Sequence, residues 1–166
     1  MKTANKGPSK PSNMKNFVFI LALAFLSATA FGQKVNFSGD WKLNESESEL
    51  GYEFSLAPKA MKVEHTKKTL DLTSTSEWDG QEIESKSHFT LDGEISENVG
   101  FAESVTKSTA NYDKKAKTLT IVTNGSVEGM DYTLTQIMSM KEGNLVVESE
   151  AAADMGEMFE TFVFEK

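Results

Sequence analysis

The sequence predicts an all-β domain, an antiparallel up-and-down meander of eight to ten strands. Three observations carry that expectation. Beyond residue 33 the chain is rich in Thr, Ser, Val and Phe and alternates apolar with polar residues at period two. Polar, glycine-containing turns separate the alternating runs. A strand–turn–strand unit also recurs. Leu70-Asp71-Leu72 starts ten residues before Gly80, Leu119-Thr120-Ile121 ten before Gly129, and Leu145-Val146-Val147 eleven before Gly156. Each unit continues to an apolar residue: Phe89, Met138 or Phe164. The units start 49 and 26 residues apart, which leaves room for a divergent fourth unit between the first two.

The elements follow in order. Val35–Leu43 reads as the first strand. Asn44–Leu50 reads as a polar turn or a short helical turn, and Pro58 breaks the connection before a strand at Met61–His65. Further strands are expected at Thr69–Ser76, Gln81–Leu91, Ser96–Ser104, Val105–Asn111, Thr118–Thr123, Met130–Met140, Asn144–Glu150 and Glu157–Glu165. Tandem hairpins in this number usually close on themselves, because closure removes exposed edges. An open sheet or a sandwich can carry the same hairpins.

Residues 1–32 stand apart from this pattern. A polar stretch with three lysines precedes Met14-Lys15-Asn16, then the apolar run Phe17–Leu26, then small residues through Gly32. This is the layout of an N-terminal extension with a signal peptide cleaved before Gln33. The apolar run is too short for a bilayer, which needs about 20 residues. The expected organisation is therefore an export segment at 1–32 and one domain at 33–166. The destination is the periplasm or the outside of the cell, with no stable membrane insertion after cleavage.

Charge and composition exclude several functions. Residues 1–32 hold four of the 17 basic residues and none of the 25 acids, so the remainder carries a formal charge of −12. Such a surface repels nucleic acid phosphates and anionic lipid. Cysteine is absent, which excludes disulfides and thiol chemistry. Arginine is absent too, so no bidentate carboxylate clamp exists. The phosphate-loop, dinucleotide and serine-elbow motifs are missing, and no enzyme activity or cofactor is expected.

Parity within the strands assigns faces. In Gln81–Leu91 the charges fall on the face of Glu82, Glu84, Lys86 and His88, so Ile83, Ser85, Ser87, Phe89 and Leu91 should point inward. Met130, Tyr132, Leu134, Gln136, Met138 and Met140 share one face, as do Leu70, Leu72, Ser74, Ser76 and Trp78. These inward faces mix apolar side chains with hydroxyls and an amide. An unpartnered buried polar group costs about 1–3 kcal/mol. Two readings stay open: an interior that holds water or a ligand, and polar positions lying near strand ends or an open rim. Eight-stranded barrels can enclose one small ligand.

Other candidates carry less. Glu45, Glu47 and Glu49 lack calcium-loop spacing and read as a solvated turn. His65 and His88 fall on opposite faces, which argues against a shared metal. Met138, Met140, Met155 and Met158 read as core or pocket lining ahead of a soft-metal site. Glu160 shares a face with Met158, Phe162 and Phe164, and is the one acid expected to point inward.

Phe37-Ser38-Gly39-Asp40-Trp41-Lys42-Leu43-Asn44 resembles the opening of lipocalin-like (calycin superfamily) domains, which place a Gly-x-Trp on their first strand. Here Gly39 and Trp41 match it. Leu50-Gly51 and the terminal Phe162–Lys166 also resemble small secreted bacterial domains of this kind. The resemblance implies a lipocalin-like barrel with Trp41 closing one end and lipophilic ligands entering at the other. The C-terminal arginine that lipocalins set over that tryptophan is missing. The connection Asn44–Lys59 is too short for the two helices of fatty-acid-binding proteins. A neutral or weakly polar ligand is therefore expected over a fatty carboxylate.

The expected function is non-catalytic binding of a small lipophilic or weakly polar molecule inside the barrel. The proposed lining or core is Met61, Val63, Leu70, Leu72, Ile83, Phe89, Leu134, Met138, Phe162 and Phe164, with Gly39 and Trp41 at the closed end. The alternative is a filled barrel or sandwich that acts through its surface as a cell-envelope interaction or structural module.

Overall fold

Ten strands hydrogen-bond into a single antiparallel sheet in which the first and last strands are neighbours. The computed structural model describes residues 35–51, 54–78, 80–100 and 103–166. The expected export segment, 1–32, lies outside them. The strands are β1 (Gly39–Leu43), β2 (Ala60–His65), β3 (Thr69–Trp78), β4 (Gln81–Thr90), β5 (Ser96–Val99), β6 (Val105–Asp113), β7 (Thr118–Val127), β8 (Met130–Lys141), β9 (Asn144–Ala153) and β10 (Gly156–Glu165). Their order is β4-β3-β2-β1-β10-β9-β8-β7-β6-β5. The sheet curls until β4 and β5 face one another, which makes a nearly closed up-and-down barrel.

Side chains bridge the β4–β5 seam. The His88 backbone N–H donates to Asn98 Oδ1 at 2.7 Å, and Asn98 Nδ2 donates back to the His88 carbonyl at 3.1 Å. The Thr90 N–H donates to Ser96 Oγ at 3.0 Å. Asn98 thus stands in for one rung of a ladder. Elsewhere the rungs are backbone, and the hairpins are tight. Glu128-Gly129 and Glu142-Gly143 both have positive φ at each residue (53° and 82°, 54° and 93°). That is the two-residue turn whose twist matches its strands, and glycine adopts it without strain. The β6–β7 turn is held by Asp113, whose carboxylate accepts the N–H groups of Ala116 at 2.9 Å and Lys115 at 2.7 Å. These bonds keep its carboxyl below the usual range.

The ten expected strands are the ten observed, with shifted ends. Ladders run to the tips of the tight hairpins, so β3, β7 and β9 extend further than expected. Three strands are shorter, β4 by the single residue Leu91. β1 starts at Gly39, because Val35–Ser38 leaves the sheet and crosses the base of the barrel. The Phe37 N–H donates to His65 Nδ1 at 3.3 Å and the Val35 N–H to the Tyr112 hydroxyl at 3.1 Å. β5 ends at Val99, where Gly100 N–H donates to the Ser104 carbonyl at 2.7 Å and turns the chain. Asn44–Leu50 is a turn that rejoins β10, with Glu49 and Thr161 exchanging both backbone bonds at 2.8 and 2.9 Å.

Candidate ligand-binding interior

The barrel interior has two halves of different chemistry. Residues on the inner face follow from register: Trp41 lies beside Met61, Val63 beside Leu72, Leu70 beside Phe89, Phe162 beside Val147, and Val147 beside Met138. At the end where the chain enters, these side chains are almost free of water. Phe37, Leu70, Leu119, Leu145 and Phe164 are wholly buried, and Trp41, Val63, Ile121, Met138 and Phe162 nearly so. Full burial of each such side chain is worth about 1.5–3 kcal/mol, so this half is the main store of stability. His65 stacks on Phe37, ring centroids 5.3 Å apart, and tilts against Tyr112 at 6.4 Å.

Trp41 is buried on β1. Its indole N–H donates to the Phe37 carbonyl at 2.9 Å. The ammonium of Lys166 sits 4.9 Å from the centre of its ring, a cation–π contact. Lys166 therefore covers one face of the tryptophan. The Lys166 stem and the Trp41 ring both pass close to Gly39, whose missing side chain leaves them room.

At the other end the same inner face turns polar; Ser108, Ser149 and Glu160 stay buried, and the β3–β4 part of the wall becomes accessible. Ser74 pairs with Ser85, Leu72 with Ser87, Ser108 with Thr123, and Gln136 with Ser149 beside Glu160. Ser108 and Thr123 bond to each other at 2.8 Å. Ser74, Ser87 and Gln136 are half-buried, Ser85 is exposed, and Ile83 is 47% exposed although its parity points inward. Water thus reaches this half of the wall. Tyr132 lies flat across Gly125 on the neighbouring strand, where an added Cβ would come within 2.5 Å of its hydroxyl. Burial pushes that phenol above its ordinary value of about 10.

Glu160 is inward and 4% exposed. Both its oxygens are occupied by the β1–β2 connection: Oε1 accepts the Gly51 N–H at 2.9 Å and Oε2 the Leu56 N–H at 3.0 Å. It is an anchor for that connection and has no lysine partner among the described residues.

The chain folds as a nearly closed up-and-down barrel of ten antiparallel strands. No family model matches the sequence, and no curated protein matches it. Among solved structures, human cRBP IV, a cellular retinol-binding protein, aligns with a TM-score of 0.47 at 16% identity, over 77% of this chain and 97% of that one.

The ten expected lining residues divide between the halves. Met61, Val63, Leu70, Phe89, Met138, Phe162 and Phe164 pack in the dry half as core. Leu72 is half-buried and packs against that core, while Leu134 is half-buried and Ile83 exposed toward the accessible half. Leu119, Ile121, Leu145 and Val147 belong to the same core and obey the same parity, so the alternation could have found them. Lys166 could not have been found that way, because it acts outside a strand. His88 is on the outer wall, bonded to Asp71 at 2.6 Å, while His65 is at the base. Among the described residues no three His, Asp or Glu side chains gather as metal ligands. Two surface depressions, about 290 and 470 Å³, lie on the outer wall, the first around Ile137, Glu148 and Phe159 and the second around Lys141 and Val146.

Proposed function

We propose that this chain is an exported, non-catalytic barrel that holds a small, largely apolar molecule in the accessible half of its interior. The observation that carries the reading is the step in burial along one inner face, from sealed aromatic and aliphatic side chains to half-open Leu134 and exposed Ile83 among hydroxyls. A solid floor with an accessible cup above it is what a binder needs: the floor supplies stability and the cup supplies apolar area for a ligand to cover. Among the described residues no lysine within a strand has inward parity, and Lys59 at the open end is paired with Glu77, which favours a neutral or weakly polar ligand over a carboxylate. The arrangement of residues 14–32 supports export.

Titration with a fluorescent lipophile tests the binding. Saturable uptake lost in Leu134→Asp and kept in Ile137→Asp, on the outer wall, supports the cup. Equal uptake by both variants defeats it. Phe89 is unsuitable for this purpose, since it is core and its replacement by Asp would unfold the barrel. Export predicts a mature N-terminus at Gln33 in the exported fraction.

A second reading has one observation in its favour: seven of the ten expected lining residues are packed solid. A filled barrel acting through its surface, as an envelope module, would show that packing and no lipophile uptake.

A further inference from the structure

Among the described residues, exposed large apolar side chains concentrate at the open end of the barrel. Met155 forms part of the β9–β10 turn and is 85% exposed. Met130 begins β8 beside its turn, and Ile83 lies next to the β3–β4 turn. Val99 and Val105 face each other across the β5–β6 hairpin, each 64% exposed. Phe54 is half-exposed in the β1–β2 connection. Every hairpin at this end, and the connection between them, thus presents apolar surface to water. The sealed end shows only Ile95 of this kind among the described residues. Met155 occupies a two-residue turn whose geometry does not need it, and exposed apolar surface gathered at one place marks an interaction site.

The charges around these side chains narrow the partner. Glu82, Glu103, Glu128 and Asp154 are exposed on the same tips. Lys107, near the β5–β6 tip, reaches Glu97 at 4.0 Å. Two copies meeting mouth to mouth would oppose acid to acid. An anionic bilayer would repel the rim over a Debye length of about 8 Å. A neutral headgroup layer would not. It also accepts separate apolar tips one by one, with strength set by the apolar area buried, whereas a protein partner would need a matching pocket for each.

We propose that the open end docks on a zwitterionic lipid surface, with the hairpin tips entering the headgroup region and the cup facing the lipid. The suggestion that the lipid layer is the source of the ligand rests on the proposed function. The docking itself does not.

The absence of cysteine permits a direct test in the full chain. An environment-sensitive thiol dye is placed at Met155→Cys, at Met130→Cys and, as the opposite-end control, at Ile95→Cys. Phosphatidylcholine vesicles should raise emission several-fold, with a blue shift, at positions 155 and 130 and leave position 95 unchanged. Vesicles rich in phosphatidylglycerol should give a much smaller response at low salt. The proposal is overturned by no response at 155, by an equal response at 95, by an undiminished response to the anionic vesicles, or by a shift that follows protein concentration without vesicles, which would mean a second copy covers the rim. Lipophile uptake measured without vesicles reports on the cup separately, so either idea can fail alone.

Discussion

The two halves of the barrel interior differ in what holds them in place. At the sealed end, Phe37, Trp41, Leu119, Phe162 and Phe164 fill the space between strands, and the strand segments there are fixed by packing. At the open end the inner face carries Ser74, Ser85, Ser87, Thr123 and Gln136, and the wall is fixed by backbone ladders and a few side-chain contacts: Glu160 under the connection and the Tyr132 ring over Gly125. The contrast teaches how one small barrel can be both stable and receptive. Close packing at one end provides the margin that lets the other end leave apolar surface uncovered.

Large-to-small substitutions should expose the contrast most strongly. Phe162→Ala should cost about 3–5 kcal/mol and Leu119→Ala about 2–5 kcal/mol in urea melts, because both leave cavities in a packed site. Leu134→Ala should cost under about 1 kcal/mol, since its site is already open to water. Similar costs for Phe162 and Leu134 would erase the distinction between the halves.

Removing the Glu160 carboxylate comes next. Glu160→Ala leaves the Gly51 and Leu56 N–H groups without their acceptors and should cost about 1–3 kcal/mol. Amide hydrogen exchange should quicken at those two residues first. Unchanged exchange there would mean that the connection is held by something else.

The Tyr132–Gly125 pair is a smaller lever. Gly125→Ala should destabilise the protein by about 1–3 kcal/mol through overpacking, and should be nearly neutral in a Tyr132→Ala background. Additive costs would show that the ring does not rest on that glycine.

The smallest effect is on pH. The phenol of Tyr132 ionises later in the folded barrel than in the unfolded chain, where it titrates near pH 10. The unfolded state therefore releases this proton first, and stability should fall as pH rises through and above about 10. Tyr132→Phe should flatten that part of the profile. An identical profile in both would remove the burial argument.

The faces of the strands were legible in the sequence, and positions along the barrel axis were not. Period-two alternation placed Ile83, Leu134 and Phe162 on one inner wall, and they are there. It could not tell that Phe162 would be sealed and Ile83 left open. Height in a barrel depends on strand tilt and stagger, which come from the register of all ten strands together. Val35-Asn36-Phe37-Ser38 alternates like a strand, yet its N–H groups go to His65 and Tyr112, partners 28 and 77 residues away. Glu160 was placed inward correctly, but its acceptors' partners lie 104 and 109 residues away. Trp41 stood out in the sequence because Gly-x-Trp is a local pattern. Its cover, Lys166, did not, because a single terminal lysine carries no pattern.

Thiol accessibility along one inner wall tests the division most directly, since the native chain contains no cysteine. Single cysteines at Leu134, in the open half, and at Leu119, in the sealed half, would be labelled with a small water-soluble reagent, with and without a saturating lipophile. Fast labelling at 134 that the lipophile suppresses, beside slow labelling at 119 that it leaves alone, is the predicted result. Equal labelling at the two positions, or no protection at 134, would contradict a cup above a solid floor.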